Sequence, residues 1–231
     1  MKRFYQVASA APRDGGFGVK LDASPLKTPA KRDLILPNAA LAAALAEEWE
    51  GQREQIKPAE MPLMQLVSTA IDRIALNSRP LLDYLSGFGE SDLLCHRAEH
   101  PADLVERQAK GWQPWLDWAA GQGIALELAF GIMPVQQPDA SLRNLRAKLE
   151  RYDFWRLTAL QSLAPAFGSV ILGLAVIEGE LAAEAAFELA QLDETFQAER
   201  WGLDSEAVNR QQALRREVAA VARYLQLLTG A

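Results

Sequence analysis

The feature that most restricts what this chain can become is a change of pattern at Pro37. Before it, the short stretches Arg3–Val7, Gly18–Leu21 and Asp33–Leu36 are separated by PRDGG and SPLKTPAK, which is the turn chemistry of hairpins. After it, Asn38 is placed to cap a helix, and LAAALAEEWEGQREQI repeats Leu41, Ala44, Leu45, Trp49 and Ile56 at helical spacing. An α+β fold follows: a small β-rich N-terminal domain with the first helix over residues 1–60, then a larger, mainly α-helical domain over residues 61–231.

Helical periodicity continues over Leu63–Ile74, Leu81–Phe88, Pro101–Ala109, Pro114–Ala120, Leu142–Leu163, Gly168–Ile177, Leu181–Arg200 and Asp204–Leu228. Two extended pieces interrupt it, Leu93–Arg97 and Ile124–Val135, which either pair with each other or extend the N-terminal sheet. Neither solenoid repeat nor low-complexity tract is visible. The longest apolar run, Ala164–Ile177, is broken by Pro165, Gly168, Ser169 and Gly173 and is shorter than the roughly 20 residues a bilayer crossing needs. It reads as a buried helix, so no membrane insertion is expected. The start of the chain has no apolar stretch of the kind a signal peptide uses.

A single cysteine, Cys95, excludes an internal disulfide and any multi-thiolate metal site within one chain. The net charge is -6, but it is unevenly spread: residues 1–33 carry seven cations against three aspartates, and the remainder is acidic. An acidic body is repelled by phosphate unless its cations are segregated, and these are dispersed with few aromatics to stack on. A solvated surface is the better reading, and no nucleic acid partner is expected.

Little in the chain builds an active site. His96 and His100 are the two histidines, so a three-histidine metal site is impossible, and no metal site or cofactor is expected. Cys95 and His96 are neighbours, which in a strand sends their side chains to opposite faces. Gly15, Gly16 and Gly18 lack the spacing and following helix of a phosphate-binding loop and read as a turn.

The anomalies are polar residues on apolar helix faces. On a wheel of 100° per residue, Glu48 and Gln52 fall within about 20° of Leu41, with Trp49 at the border of the same stripe. A bare carboxylate there would cost several kcal/mol, so a hydrogen-bonded network or a partner-facing site is required. Over Leu181–Trp201, Asp193 falls inside the stripe of Ala185, Ala186, Leu189, Leu192 and Phe196, while Glu194, Gln197 and Trp201 form a polar and aromatic border. An indole beside an amide and a carboxylate has the composition of a protein-recognition edge. The competing reading is an enzyme with a small-molecule pocket at an interdomain cleft, using Glu48 or Asp193 as acid or base.

These same residues resemble a known family. RFYQVAS, LDASPLKTPAK, the E-W-x-x-Q run within LAEEWEGQREQ, P-x-x-M-P-L within KPAEMPLMQL, GIMPVQQP and D-E-x-x-Q-x-x-x-W-G within LDETFQAERWG occur in the order seen in ATP12-type chaperones, the F-type ATP synthase assembly factors that hold the α subunit of the catalytic head. The resemblance spans nearly the whole chain. It implies two domains, no enzymatic activity, and the free α subunit as partner until it joins β. It also implies a bacterial cytoplasmic, α-proteobacterial member, monomeric when free. The family's motifs fall on Glu48, Trp49 and Gln52, and on Asp193, Glu194 and Gln197. Two positions depart from the pattern: Glu50 stands where some members have Asp, and Gln113 stands within a segment that often reads W-D-P. Glu194, Gln197 and Trp201 are therefore expected to touch the client, and Glu48, Trp49, Gln52 and Asp193 to hold the scaffold in register or share in that contact.

Overall fold

The computed structural model describes residues 1–131, 135–202 and 205–230. The chain is α+β and divides into two compact units. One comprises residues 1–78, 154–159 and the end of the chain from 220; the other comprises residues 79–153 and 160–219.

In the first unit, β1 (Ala8–Arg13), β2 (Gly16–Leu21) and β3 (Ser24–Pro25) form an antiparallel sheet in that order. The β1–β2 register pairs Arg13 with Gly16, so Asp14–Gly15 make a tight turn with Gly15 at φ +84°. The chain at Leu36 lies against this turn, with Phe17 and Leu36 exchanging backbone hydrogen bonds of 3.0 and 2.7 Å. A Cβ on Gly16 would stand 2.4 Å from the Leu36 carbonyl, so that approach requires glycine. The outer edge of β1 is blunted, because the Ala8 N–H donates to the Glu50 carboxylate at 2.7 Å and Pro12 has no N–H.

In the first unit strand pairing differs from the sequence expectation at three places, the first being Ser24–Pro25, which lies within a stretch that reads as turn yet pairs with β2 as β3. Arg3–Val7 is not a strand; Tyr5 is buried against Trp49 while its hydroxyl donates to the Trp49 carbonyl at 2.6 Å, and pairing starts only at Ala8. Asp33–Leu36 is not a strand of the sheet: it is bridged to β2 at Phe17 and Leu36, and Asp33 is bridged to Lys27 beyond the end of β3. The small side chains of β1 disguised it, since Ala-rich segments carry no alternation of large apolar residues.

Helix α1 (Ala39–Glu50) starts where expected, with the Asn38 side chain accepting from Leu41 N at 2.9 Å. Its buried face is Leu41, Ala42, Ala44, Leu45, Ala46 and Trp49. Helix α2 (Pro62–Thr69) runs into one π-helical turn, Ala70–Ile74.

The second unit holds α3 (Arg79–Phe88), β4 (His96–Arg97), α4 (Ala102–Gly121), β5 (Ala129–Phe130), α5 (Asp139–Leu149), most of α6 (Phe154–Phe167), then α7 (Val170–Ile177), α8 (Ala183–Ala190), α9 (Leu192–Trp201) and the first part of α10 (Ser205–Thr229). β4 and β5 pair in parallel with each other, His96 to Ala129 and Arg97 to Phe130, which decides between the two pairings open to the extended segments, but they are far shorter than expected: Leu93–Cys95 is a single 3-10 turn capped by Asp92, and residues 124–128 are not strand. Part of the second segment, residues 132–134, lies outside the described residues, as does Asp204.

Three helix expectations are corrected. Pro101–Ala109 and Pro114–Ala120 are one helix; Pro114 and Lys110, whose carbonyl loses its partner, are both exposed, so the missing bond falls on the solvent side of the helix. Leu142–Leu163 is two helices, α5 and α6, separated over residues 150–153. Leu181–Arg200 is also two, because Gln191 leaves the helical region at φ -97°, ψ 16° and resets the phase between α8 and α9. The reset explains why Phe187, absent from the stripe drawn through one continuous helix, is fully buried.

The centre of the second unit is α7, buried from Val170 to Val176. Ser169 caps it, accepting from Leu172 N at 3.0 Å, and Asp92 reaches the same end, accepting from Ile171 N at 3.2 Å. Among the described residues no helix is long and apolar enough to cross a membrane.

Candidate functional site

Glu48 sits on the last turns of α1, aimed at the first turn of α2. Its two carboxylate oxygens accept from Leu63 N and Met64 N, each at 2.8 Å. A helix has orphan N–H groups at its start and the positive end of its dipole there, so a carboxylate satisfies both. Burial nevertheless raises the Glu48 pKa above the usual carboxylate value, with the two backbone donors and Arg223 acting in the opposite sense. Gln52, buried one turn on, accepts from Lys57 N at 2.7 Å and fixes the return of the chain after α1. Trp49 is 8% exposed and meets the Tyr5 ring edge to face at 5.7 Å. The E-W-x-x-Q residues are thus internal fastenings of the first unit, tying α1 to α2 and to the chain before β1.

In the second unit, Asp193 accepts from Gln108 Nε2 at 2.8 Å, and the Gln108 carbonyl oxygen accepts from Ala98 N at 2.8 Å. Gln108 therefore bridges α9 to the segment after β4. The sequence reading missed it, although a glutamine in register with Trp112, Leu116 and Ala119 on the buried face of α4 is the same anomaly as Glu48. Splitting α4 into two helices hid that register. Trp112 is fully buried, and its indole donates to the Leu189 carbonyl at 2.9 Å. Gln113, one of the two departures from the family pattern, accepts from Arg97 at 3.1 Å and donates to Asp117 at 2.8 Å.

The next turn of α9 faces outward. Glu194 and Gln197 are exposed, and Trp201 is 77% exposed. With Arg210 and Gln211 of α10 they line an open furrow of about 420 Å³. The structure brings Glu194, Gln197 and Trp201 together and leaves Asp193 behind them, hydrogen-bonded inward; Glu48, Trp49 and Gln52 are in the other unit.

Bond-making chemistry finds little support. Glu48 and Asp193 are each occupied by the donors named above, and neither lines the furrow formed by Glu194, Trp201 and Arg210. Burial pushes the Cys95 thiol up to about 12, with Asp92 adding to the effect, which leaves it un-ionised at neutral pH. His96 and His100 are exposed. No cluster of metal-binding side chains occurs among the described residues. The basic front is also largely neutralised locally: Arg3 reaches Glu50, Arg13 and Lys27 reach Asp33, and Arg32 reaches Asp72.

Against known proteins, the family model described as ATP12 chaperone protein matches residues 2–120. The chain belongs to the ATP12 chaperone family. Among solved members, the crystal structure of Atp12 from Paracoccus denitrificans is 41% identical with a TM-score of 0.94, covering 98% of each chain. Atu1473 of Agrobacterium tumefaciens, described as a putative chaperone, is 41% identical with a TM-score of 0.92, covering 98% of this chain and 86% of that one. The mitochondrial protein atp12 of Schizosaccharomyces pombe is 25% identical over 215 residues, which is 87% of this chain and 74% of the relative. The family match ends within α4, whereas the structural likeness covers 98% of the chain and so extends over both units.

Proposed function

We propose that this chain is an assembly factor for F-type ATP synthase that holds the free α subunit until the β subunit takes its place. Membership of a chaperone family supports the general role, and the sequence resemblance supplies the client. The observation that carries the reading is the exposure of Trp201, at 77%, beside exposed Glu194 and Gln197 on one wall of an open furrow. A large indole left in water contributes nothing to a monomer's core, while at an interface it supplies apolar area together with a donor.

A subunit awaiting assembly exposes an interface that promotes aggregation, and a holder must cover it and then leave. Polar contacts around one aromatic anchor suit that task, because moderate affinity lets the better-fitting neighbour displace the holder. In this reading the protein makes and breaks no covalent bonds, works as a monomer in the bacterial cytoplasm, and uses Glu48, Trp49, Gln52 and Asp193 as scaffold.

The test is co-purification with the isolated α subunit of the same organism, followed by addition of β. Capture followed by displacement is the expected result. Glu194→Lys should weaken capture about tenfold with only a small fall in melting temperature, because the side chain is exposed and makes no ion pair or side-chain hydrogen bond among the described residues, its one local role being the favourable charge it places in the first turn of α9. An absence of capture by the unaltered chain refutes the client; a large loss of stability in the variant refutes the assignment of Glu194 to the contact.

A further inference from the structure

The lining of the α9–α10 furrow follows from helical spacing. Glu194, Ala198 and Trp201 lie along one stripe of α9, and Ala207, Arg210 and Gln211 lie along one face of α10. A second groove of about 380 Å³ shares Gln191, Thr195 and Gln211 with the first, so the two form one elongated channel along α8, α9 and α10. Two compartments in line fit a length of polypeptide better than a compact metabolite.

The charges along this channel are unequally committed. Asp193 is bonded to Gln108, Glu199 to Arg107 at 2.8 Å and Arg200 to Asp103 at 2.5 Å. In the second compartment Arg215 pairs with Glu184 at 3.1 Å. Three lining charges stand apart from this pattern, Glu188 in the second compartment and Glu194 and Arg210 in the first; all are exposed and none makes an ion pair or side-chain hydrogen bond among the described residues. Of these, Glu194 and Arg210 are the pair of opposite sign, and they line the first compartment from different helices. Opposite charges that share a furrow without closing on each other present a negative wall and a positive wall to whatever enters.

We propose that the furrow reads a client segment of mixed charge, with a basic side chain against Glu194, an acidic side chain against Arg210 and an apolar side chain on Trp201. This rests on the function proposed above and adds Arg210 as a second determinant of client choice. Rim charges of this kind act on specificity and association rate, while the indole supplies burial.

The experiment measures capture of the isolated α subunit by the full chain and by three variants, Glu194→Lys, Arg210→Glu and Arg216→Glu. Arg216 is an exposed cation of the same helix that does not line the furrow, so its reversal controls for net charge. Glu194→Lys and Arg210→Glu should each weaken capture about tenfold, with Arg216→Glu within about twofold, and raised salt should narrow the differences. Arg210→Glu binding like the unaltered chain, or losing no more than Arg216→Glu, overturns the proposal while leaving the chaperone reading intact. Failure of the unaltered chain to capture α removes both. A free chain that sediments as a dimer and becomes monomeric in Arg210→Glu assigns the furrow to a second copy and also overturns the proposal.

Discussion

Asp92 offers the sharpest physical test of how the second unit is held together. Its side chain is 0% exposed and lies at the start of α7, where Oδ2 accepts from Ile171 N at 3.2 Å and Oδ1 accepts from Leu94 N at 3.1 Å. Ser169 and Val170 add further donors. Burial opposes them and dominates, raising the carboxyl from its ordinary 3.8 to about 6. A folded-state pKa above the unfolded one gives stability that is fully present below the unfolded value and is lost as pH rises through the folded value. At about 1.4 kcal/mol per pH unit, the whole loss is about 3 kcal/mol. Most of it falls between about pH 4 and about pH 8. Asp92→Asn removes the titration and keeps the shape, while turning an amide NH2 toward backbone donors at a constant cost of about 1–3 kcal/mol. Urea unfolding of both proteins across that range isolates the effect, since every other group titrates alike in the two. The cost of the substitution should shrink by about 2–3 kcal/mol from the acid end to the alkaline end. A cost that stays constant or grows with pH would show that the donors outweigh burial, and the reasoning would fail.

Three further substitutions probe the scaffold. Glu48→Ala strips the acceptor from two N–H groups at the start of α2 and should cost about 2–4 kcal/mol in urea unfolding, with Glu48→Gln costing about half as much. Trp49→Ala should cost about 3–5 kcal/mol and lower the melting temperature sharply, whereas Trp49→Phe should cost about 1–2 kcal/mol, because the indole N–H has no hydrogen-bond partner among the described residues to lose. Gln108→Ala leaves Ala98 N and Asp193 without their bonds and should cost about 2–3 kcal/mol, with faster amide exchange at Ala98 as its local signature.

The α+β character, the position of α1 and its Asn38 cap were legible because each depends on residues close in sequence. The anomalies at Glu48 and Asp193 were legible for a related reason: a polar residue on an apolar stripe has to be satisfied by something, and the wheel shows that without showing by what. Strand β1 escaped because its small, half-buried or exposed side chains carry no alternation of large apolar residues, and Gln108 escaped because the pattern reads as one helix stopping at Ala109 and another starting at Pro114, although the exposed side of α4 tolerates that proline. The exposed edge at Glu194, Gln197 and Trp201 was anticipated as a border of the stripe, but Arg210 was not, since nothing local links it to the residues of the preceding helix.

By itself the sequence determined where backbone geometry is forced, at the Asp14–Gly15 turn and the Asn38 cap, and which helix faces must be covered. Only the tertiary structure decided what covers them: that Glu48 is used up on the start of α2, that Asp193 turns inward to Gln108, and that Glu194 and Arg210 face one furrow from two helices. The physical reason is range. Turn and cap preferences act over a few residues, whereas the partner of a side chain is set by packing between segments distant in sequence.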